Sequence, residues 1–172
     1  MKITGRIARH HVFNDIIWRA VGAAGIPAVE EPSGLNRQDG KRPDGLTLIP
    51  WHGGRSLVWD VTVVSPFIAA SYMYVDRAAT DAGTVADMTA TRKTEKYSTL
   101  SLAYRFEPIA VENLFVFSST TLKVISELGR PICVLTGDAK EASYLFQRIF
   151  IMLERFNSVL LHDTLPADLP DL

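Results

Sequence analysis

The stretch Asp44-Gly45-Leu46-Thr47-Leu48-Ile49-Pro50-Trp51-His52-Gly53-Gly54-Arg55-Ser56-Leu57-Val58-Trp59-Asp60-Val61-Thr62-Val63-Val64 decides the fold. Two strand-like runs, Asp44–Ile49 and Ser56–Val64, flank Pro50-Trp51-His52-Gly53-Gly54. The two glycines of that connection suit a chain reversal, so the segment reads as a hairpin. Both runs carry apolar residues toward either side (Leu46, Leu48, Ile49; Leu57, Val58, Trp59, Val61, Val63, Val64). That pattern belongs to a central hairpin covered on both faces by helices. With Pro50–Gly54 as the loop, Ile49 faces Arg55, and counting back sets Asp44 opposite Asp60 on one face. Cross-strand neighbours have Cβ atoms about 4.5–5.5 Å apart, where two carboxylates repel unless a cation or proton lies between them. A loop one residue shorter turns the pair to opposite faces.

Outward from the hairpin, the N-terminal side reads as a helix over His11–Ala24. Its apolar face is Val12, Ile16, Ile17, Ala20 and Val21, and Gly25-Ile26-Pro27 ends it. Ala28–Glu31 is a short strand and Ser33–Pro43 a loop. Beyond the hairpin, Ser65–Gly83 fits neither pattern. Thr84–Leu102 reads as a helix, Phe106–Phe117 as a strand, and Ser119–Leu128 as a short helix closed by Gly129 and Pro131. A long helix follows from Gly137-Asp138 to about Leu161. The expectation is a single α/β domain over 1–172, with a core of about 9–117 built as a small mixed sheet flanked by helices. Helices over about 119–161 are added to it, and a frayed tail covers 166–172.

Composition sets limits without choosing a function. The chain has 172 residues, 47% hydrophobic and 22% charged, which suits one domain with one core. Its net charge of −1 means that any nucleic-acid contact must rest on local charge. Met1–Asp60 holds eight Lys and Arg against six Asp and Glu, and residues 138–172 hold three against six. Cys133 is the only cysteine, which excludes a disulfide framework and a cysteine-rich zinc module. His10, His11, His52 and His162 match no common zinc spacing. No apolar stretch has the length of a signal peptide or membrane span, so the expectation is an intracellular protein, nuclear or cytoplasmic, neither secreted nor in a membrane.

The carboxylate pair is the sharpest chemical signal. Phosphodiester hydrolysis uses a metal ion to activate water and take up charge, and Mg²⁺ accepts one or two carboxylates plus water and phosphate. A nearby lysine can steady the charge that develops. Lys93 and Lys96 stand three apart on a predicted helix, with Tyr97 beside them. The competing accounts are a turn-capping Asp44, a lone Asp60, a solvated lysine face and a core-edge tyrosine. Arg9 and His10 precede the predicted first helix and could hold a phosphate there. Glu31 and Glu112, at strand ends, either extend the carboxylate cluster or form salt bridges.

Several segments taken together resemble a known family. They are Arg9-His10, Glu31-Pro32, Asp39-Gly40-Lys41-Arg42-Pro43-Asp44-Gly45, Trp59-Asp60-Val61-Thr62 and Lys96-Tyr97-Ser98-Thr99-Leu100. Later ones are Glu127-Leu128-Gly129-Arg130 and Thr136-Gly137-Asp138. They resemble the restriction-like endonuclease domain, of the PD-(D/E)xK superfamily, at the C-terminus of non-LTR retrotransposon and reverse-transcriptase-associated proteins. The resemblance runs from about Arg9 to Leu165. It implies a restriction-endonuclease-like fold, Mg²⁺ or Mn²⁺ as cofactor, DNA as partner, and nicking that primes an upstream reverse transcriptase. Asp44 matches the aspartate of the Pro-Asp motif and Asp60 the acidic residue of the second strand. Lys41 and Arg42 fall on the basic run before it. Thr62 stands where the wider superfamily has its lysine. The retroelement nucleases place theirs on the following helix, where Lys93 and Lys96 both fit, with Tyr97 alongside. Glu112-Asn113-Leu114-Phe115 departs from the relatives' Glu-Thr-Leu-Gly, and the sequence holds no cysteine/histidine knuckle. A non-cutting module that binds nucleic acid or protein, or a decayed remnant of the same fold, are the alternatives.

Overall fold

The computed structural model describes residues 2–37, 39–65 and 82–162, with side chains from residue 5 onward. In chain order the elements are α1 (Lys2–Ala23), β1 (Ala28–Glu30), β2 (Gly45–Thr47), β3 (Leu57–Val64) and α2 (Thr84–Lys96). A 3-10 turn (Ser98–Leu102), β4 (Arg105–Glu112), α3 (Ser119–Thr136) and α4 (Glu141–His162) complete them. Most of Ser65–Gly83 and the expected frayed tail lie outside the described residues.

The strands form one mixed sheet in the order β1-β2-β3-β4. The first three are antiparallel neighbours, whereas β3 and β4 run parallel. A parallel pair needs a long crossover, and α2 lies within it. Alternation along the strands then sorts the side chains. Leu57, Trp59 and Val61 of β3, with Ile109 and Val111 of β4, join the main core. Phe13, Ile17 and Val21 of α1, Val124, Ile125 and Leu128 of α3, and Leu145, Ile149 and Leu153 of α4 complete that core. Ala110, of opposite parity, packs with Ala86 and Ala90 of α2. Helices therefore cover both faces, as the doubly apolar hairpin requires. Asp60 shares the parity of Ala110's partner strand positions, so it emerges on the α2 side.

The hairpin keeps the expected register but reaches it by another route. Gly45 pairs with Trp59 and Leu46 with Val58, which brings Asp44 beside Asp60. The turn itself is tighter and further along: His52 bridges Arg55, and the Trp51 N–H donates to the Arg55 carbonyl at 2.8 Å. Leu48, Ile49 and Pro50 are extra residues on one side. Pro50 has no N–H to continue a ladder, and Thr47 fills the gap: its hydroxyl accepts the Leu57 N–H and donates to the Ile49 carbonyl, both at 2.9 Å. β2 is thus three residues long, and Leu48 and Ile49 are exposed rather than part of the core.

Other boundaries also shift for physical reasons. α1 begins at Lys2, nine residues before the expected start. The expected helix Thr84–Leu102 divides at Tyr97 into α2 and the 3-10 turn. β4 stops at Glu112 because the chain doubles back: the Glu112 N–H donates to the Val116 carbonyl at 2.7 Å and Phe117 returns beside Val111. α3 runs straight through Gly129 and Pro131. Gly129 is a contact residue rather than a stop, since a Cβ there would stand 2.6 Å from that of Ala142 on α4. The helix ends at Gly137, whose φ of 73° is the left-handed cap that favours glycine. Among the described residues no helix is long and apolar enough to cross a membrane.

Candidate active site

Asp60 sits in the middle of β3, buried, beside Pro108 of β4. α2 crosses above it. Lys93 and Tyr97 are four apart at the end of that helix and so share a side. The Lys93 amine meets Oδ1 of Asp60 and also donates to the Val61 carbonyl at 3.2 Å. Tyr97 is 2% exposed and donates its hydroxyl proton to Asp60, with its ring 4.6 Å from that of Phe106. Burial raises the Asp60 carboxyl above its ordinary range. Lys93 opposes that shift, the charge of Asp44 adds to it, and the Tyr97 hydrogen bond eases it. Tyr97 is itself raised well above 10 by burial and by the Asp60 charge, so it keeps its proton.

Asp44 stands at the mouth of β2. Because the strand starts at Gly45, Val61 has no ladder partner from the Pro43 side, and Oδ2 of Asp44 accepts its N–H at 2.6 Å. Oδ1 lies 3.0 Å from Nε2 of His10 on α1. That hydrogen bond pushes the imidazole above its ordinary range against the opposing effect of burial. The negative charges of Asp44 and Asp60 help, and Lys93 counteracts them. Each carboxylate therefore has a basic partner from a different helix: His10 of α1 for Asp44, Lys93 of α2 for Asp60.

Two supporting residues escaped the sequence reading. Asn14, one helical turn after His10, donates to Oε1 of Glu30 at 3.0 Å and to the Asp44 carbonyl at 3.4 Å. Its Oδ1 accepts the Trp59 indole N–H at 2.9 Å, so one amide ties α1 to three strands. The signal was a lone asparagine between Phe13 and Ile16-Ile17, on a helix face that is otherwise apolar. Arg37 lies with its guanidinium 5.1 Å over the Tyr97 ring. Nothing local in the sequence marks it.

The remaining candidates fall elsewhere. Lys96 is exposed, and α2 does not bring it to the carboxylates. Glu31 holds Arg42 in an ion pair, the salt-bridging outcome, at a left-handed φ of 45°. Glu112 pairs with Val64, four positions along the parallel ladder from Asp60. Its Oε1 accepts the Ala86 N–H at 3.3 Å, so it caps α2, whose own N-cap Gly83 has no side chain to do so. Of the two roles offered for Glu112, cluster extension and salt bridging, neither is made among the described residues, where it serves the helix start instead. Lys41 is exposed beside Asp39, which accepts its backbone N–H at 3.2 Å. Arg9 is buried, has no hydrogen-bond or ion-pair partner among the described residues, and is pulled below its ordinary range by burial and by Arg6.

Among the described residues no three His, Cys, Asp or Glu side chains converge as a ready metal cage. Two carboxylates, with water and a phosphate completing the shell, are instead the donor set that Mg²⁺ and Mn²⁺ accept. The oxygen ligands and the net negative charge of the pair fit such an ion. No protein-family model matches the chain, and a search of curated proteins finds no match.

Proposed function

We propose that this chain is a metal-dependent DNA endonuclease domain of the PD-(D/E)xK kind, retroelement-derived, that nicks a phosphodiester by metal-activated water. The observation that carries the reading is the juxtaposition of Asp44 and Asp60 with the Lys93 amine at an inner strand of the mixed sheet. Buried like charges on neighbouring strands are unfavourable, and a fold keeps them where a cation belongs between them. A dication bound by the pair supplies Lewis-acid polarisation of the phosphoryl oxygen and a water acidified toward neutral pH.

The chain's own groups do the rest. Asp44 is oriented by the Val61 N–H, which fixes one oxygen and leaves the carboxylate facing His10. Asp60 is oriented by Tyr97. Lys93, held on Asp60, would supply positive charge against the negative charge that grows on a phosphate bound at the pair. Asn14 and Trp59 hold the two strands in register from the opposite side of the sheet.

The test is a plasmid-nicking assay across Mg²⁺, Mn²⁺ and EDTA with wild type, Asp44→Ala and Asp60→Ala. Metal-dependent conversion of supercoiled to open-circular DNA is expected of wild type only. Equal nicking by the double variant removes the proposal.

One observation favours a second reading. His10 and Lys93 already hydrogen-bond both carboxylates without a dication. A module that grips DNA or protein without cutting, or a decayed remnant, has the same arrangement. Salt-sensitive DNA affinity with no nicking in any metal selects the binding module. Neither affinity nor nicking selects the remnant.

A further inference from the structure

We infer that Arg37 is a phosphate-binding residue of this site that grips the DNA backbone beside the two carboxylates. The inference rests on the endonuclease reading for its substrate and adds a residue that reading does not use.

Backbone hydrogen bonds tie the described residues on either side of Arg37. The Glu31 N–H donates to the Asp44 carbonyl at 2.9 Å. The Arg37 N–H donates to the Lys41 carbonyl at 2.7 Å and the Gly40 N–H to the Arg37 carbonyl at 2.9 Å. The Arg37 guanidinium lies on the ring of Tyr97, whose hydroxyl serves Asp60. One aromatic ring therefore connects Arg37 to the carboxylate that would hold the metal.

The guanidinium also donates to the Tyr97 hydroxyl, and the donors not used there lie along its edge. Its Nη2 meets Oδ2 of Asp39 at 2.9 Å. Asp39 is 43% exposed, so this is a surface pair that holds weakly. A phosphate offers the same fork two oxygens in bidentate form and can displace the carboxylate. Arg37 itself keeps 22% exposure, so the stack does not seal it from a ligand.

Three other basic groups near the site are committed, whereas Arg9 is buried and Lys41 exposed without an ion pair among the described residues. His10 is on Asp44, Lys93 on Asp60, and Arg42 on Glu31. With a net charge of −1 the chain has no general attraction for a polyanion. Its grip on DNA must come from a few local cations, and Arg37 is the one attached to the site through Tyr97.

The experiment measures binding of a fluorescein-labelled DNA duplex in EDTA, where no cut occurs, over a KCl series. Arg37→Gln should weaken binding about tenfold and flatten the plot of log Kd against log salt by about one unit, the loss of one phosphate contact. Arg37→Lys should keep the slope and recover part of the affinity. Asp39→Asn, at an exposed position, should tighten binding severalfold by freeing the guanidinium. A wild-type slope in Arg37→Gln overturns the inference, and so does unchanged affinity in Asp39→Asn. Wild type that fails to bind the duplex at low salt also overturns it. If wild type binds through Arg37 yet nicks in no metal, the inference stands and the endonuclease reading falls. If wild type nicks and Arg37→Gln keeps the slope, only the inference falls.

Discussion

The amine of Lys93, near the end of α2, meets Oδ1 of Asp60 in the middle of β3, while Lys96, three residues on, is exposed. The two lysines are equivalent in the sequence and different in the fold. Under the proposed chemistry Lys93→Met should lower nicking by at least about 100-fold, the usual loss on removing one charge-stabilising donor. Lys96→Met should stay within about twofold of wild type. Lys93 and a dication also compete for the same carboxylate. Lys93→Met should therefore bind Mn²⁺ more tightly than wild type by titration calorimetry while cutting less. Wild-type nicking by Lys93→Met removes that lysine from the chemistry.

Asp60 predicts a pH dependence of stability. Its folded pKa lies above the 3.8 of the free side chain, chiefly through burial. A carboxyl shifted this way binds its proton better in the fold. Its favourable contribution is present at low pH and is lost as pH climbs from 3.8 through the folded value. At pH 7 without metal, the Asp60 carboxyl thus lowers stability, and Asp60→Asn should unfold at higher urea than wild type. The gap should close as pH falls toward 4. Mn²⁺ at about 100 times its Kd should add about 2.7 kcal/mol to wild type and little to Asp60→Asn. Urea titrations at two pH values, with and without Mn²⁺, check each part. A less stable Asp60→Asn at pH 7 contradicts the burial argument.

Glu112 predicts a loss of stability without a loss of chemistry. Its carboxylate accepts the Ala86 N–H at the start of α2, the helix that delivers Lys93 and Tyr97. Glu112→Ala should cost about 0.5–2 kcal/mol, the usual value of a helix N-cap. Glu112→Gln, which keeps an acceptor, should cost less. Nicking per folded molecule should hold within about threefold in both. A hundredfold loss in Glu112→Gln at unchanged stability restores this residue to the carboxylate cluster.

The parts of the site that local pattern determines were legible in the sequence, and those made by distant contacts were not. Period-two alternation and the Gly53-Gly54 turn gave the hairpin, and the register that joins Asp44 to Asp60 follows from them. That register came from an incorrect loop. The three-residue excess at Leu48–Pro50 is absorbed by the Thr47 hydroxyl, a side-chain substitute for backbone pairing that alternation cannot reveal. Lys93 and Lys96 both lie within α2 and differ in which side of the helix meets the sheet, a rotation set by the packing of Ala86 and Ala90 on Ala110 rather than by local sequence. Gly129 and Pro131 gave a misleading stop because close packing on Ala142 outweighs local propensity. Arg37 and Asn14 act through partners 60 and 45 positions away, Tyr97 and Trp59, and no window along the chain contains both ends.

Gly45 sets the position of Asp44 through the Trp59 ring. A Cβ at Gly45 would stand 1.9 Å from Cζ2 of that ring, far inside any real contact. Trp59 is fully buried, and its indole N–H is held by Asn14 at 2.9 Å, so it cannot swing aside without breaking that bond. Gly45→Ala should cost about 1–3 kcal/mol by urea unfolding, the range for an overpacked core. Asp44 immediately precedes Gly45 at the start of β2, so nicking should fall further than the unfolded fraction explains. Gly22→Ala, on α1 with nothing within 4 Å of the added carbon, is the control and should be neutral or stabilising. Trp59→Phe removes the ring atoms that clash, so Gly45→Ala combined with Trp59→Phe should cost less than the two single changes added together. A favourable coupling of that sign ties the glycine to the tryptophan, since residues in contact are the ones whose changes fail to add. Simple additivity, or a Gly45→Ala protein as stable as wild type, removes Trp59 from its place behind the carboxylate pair.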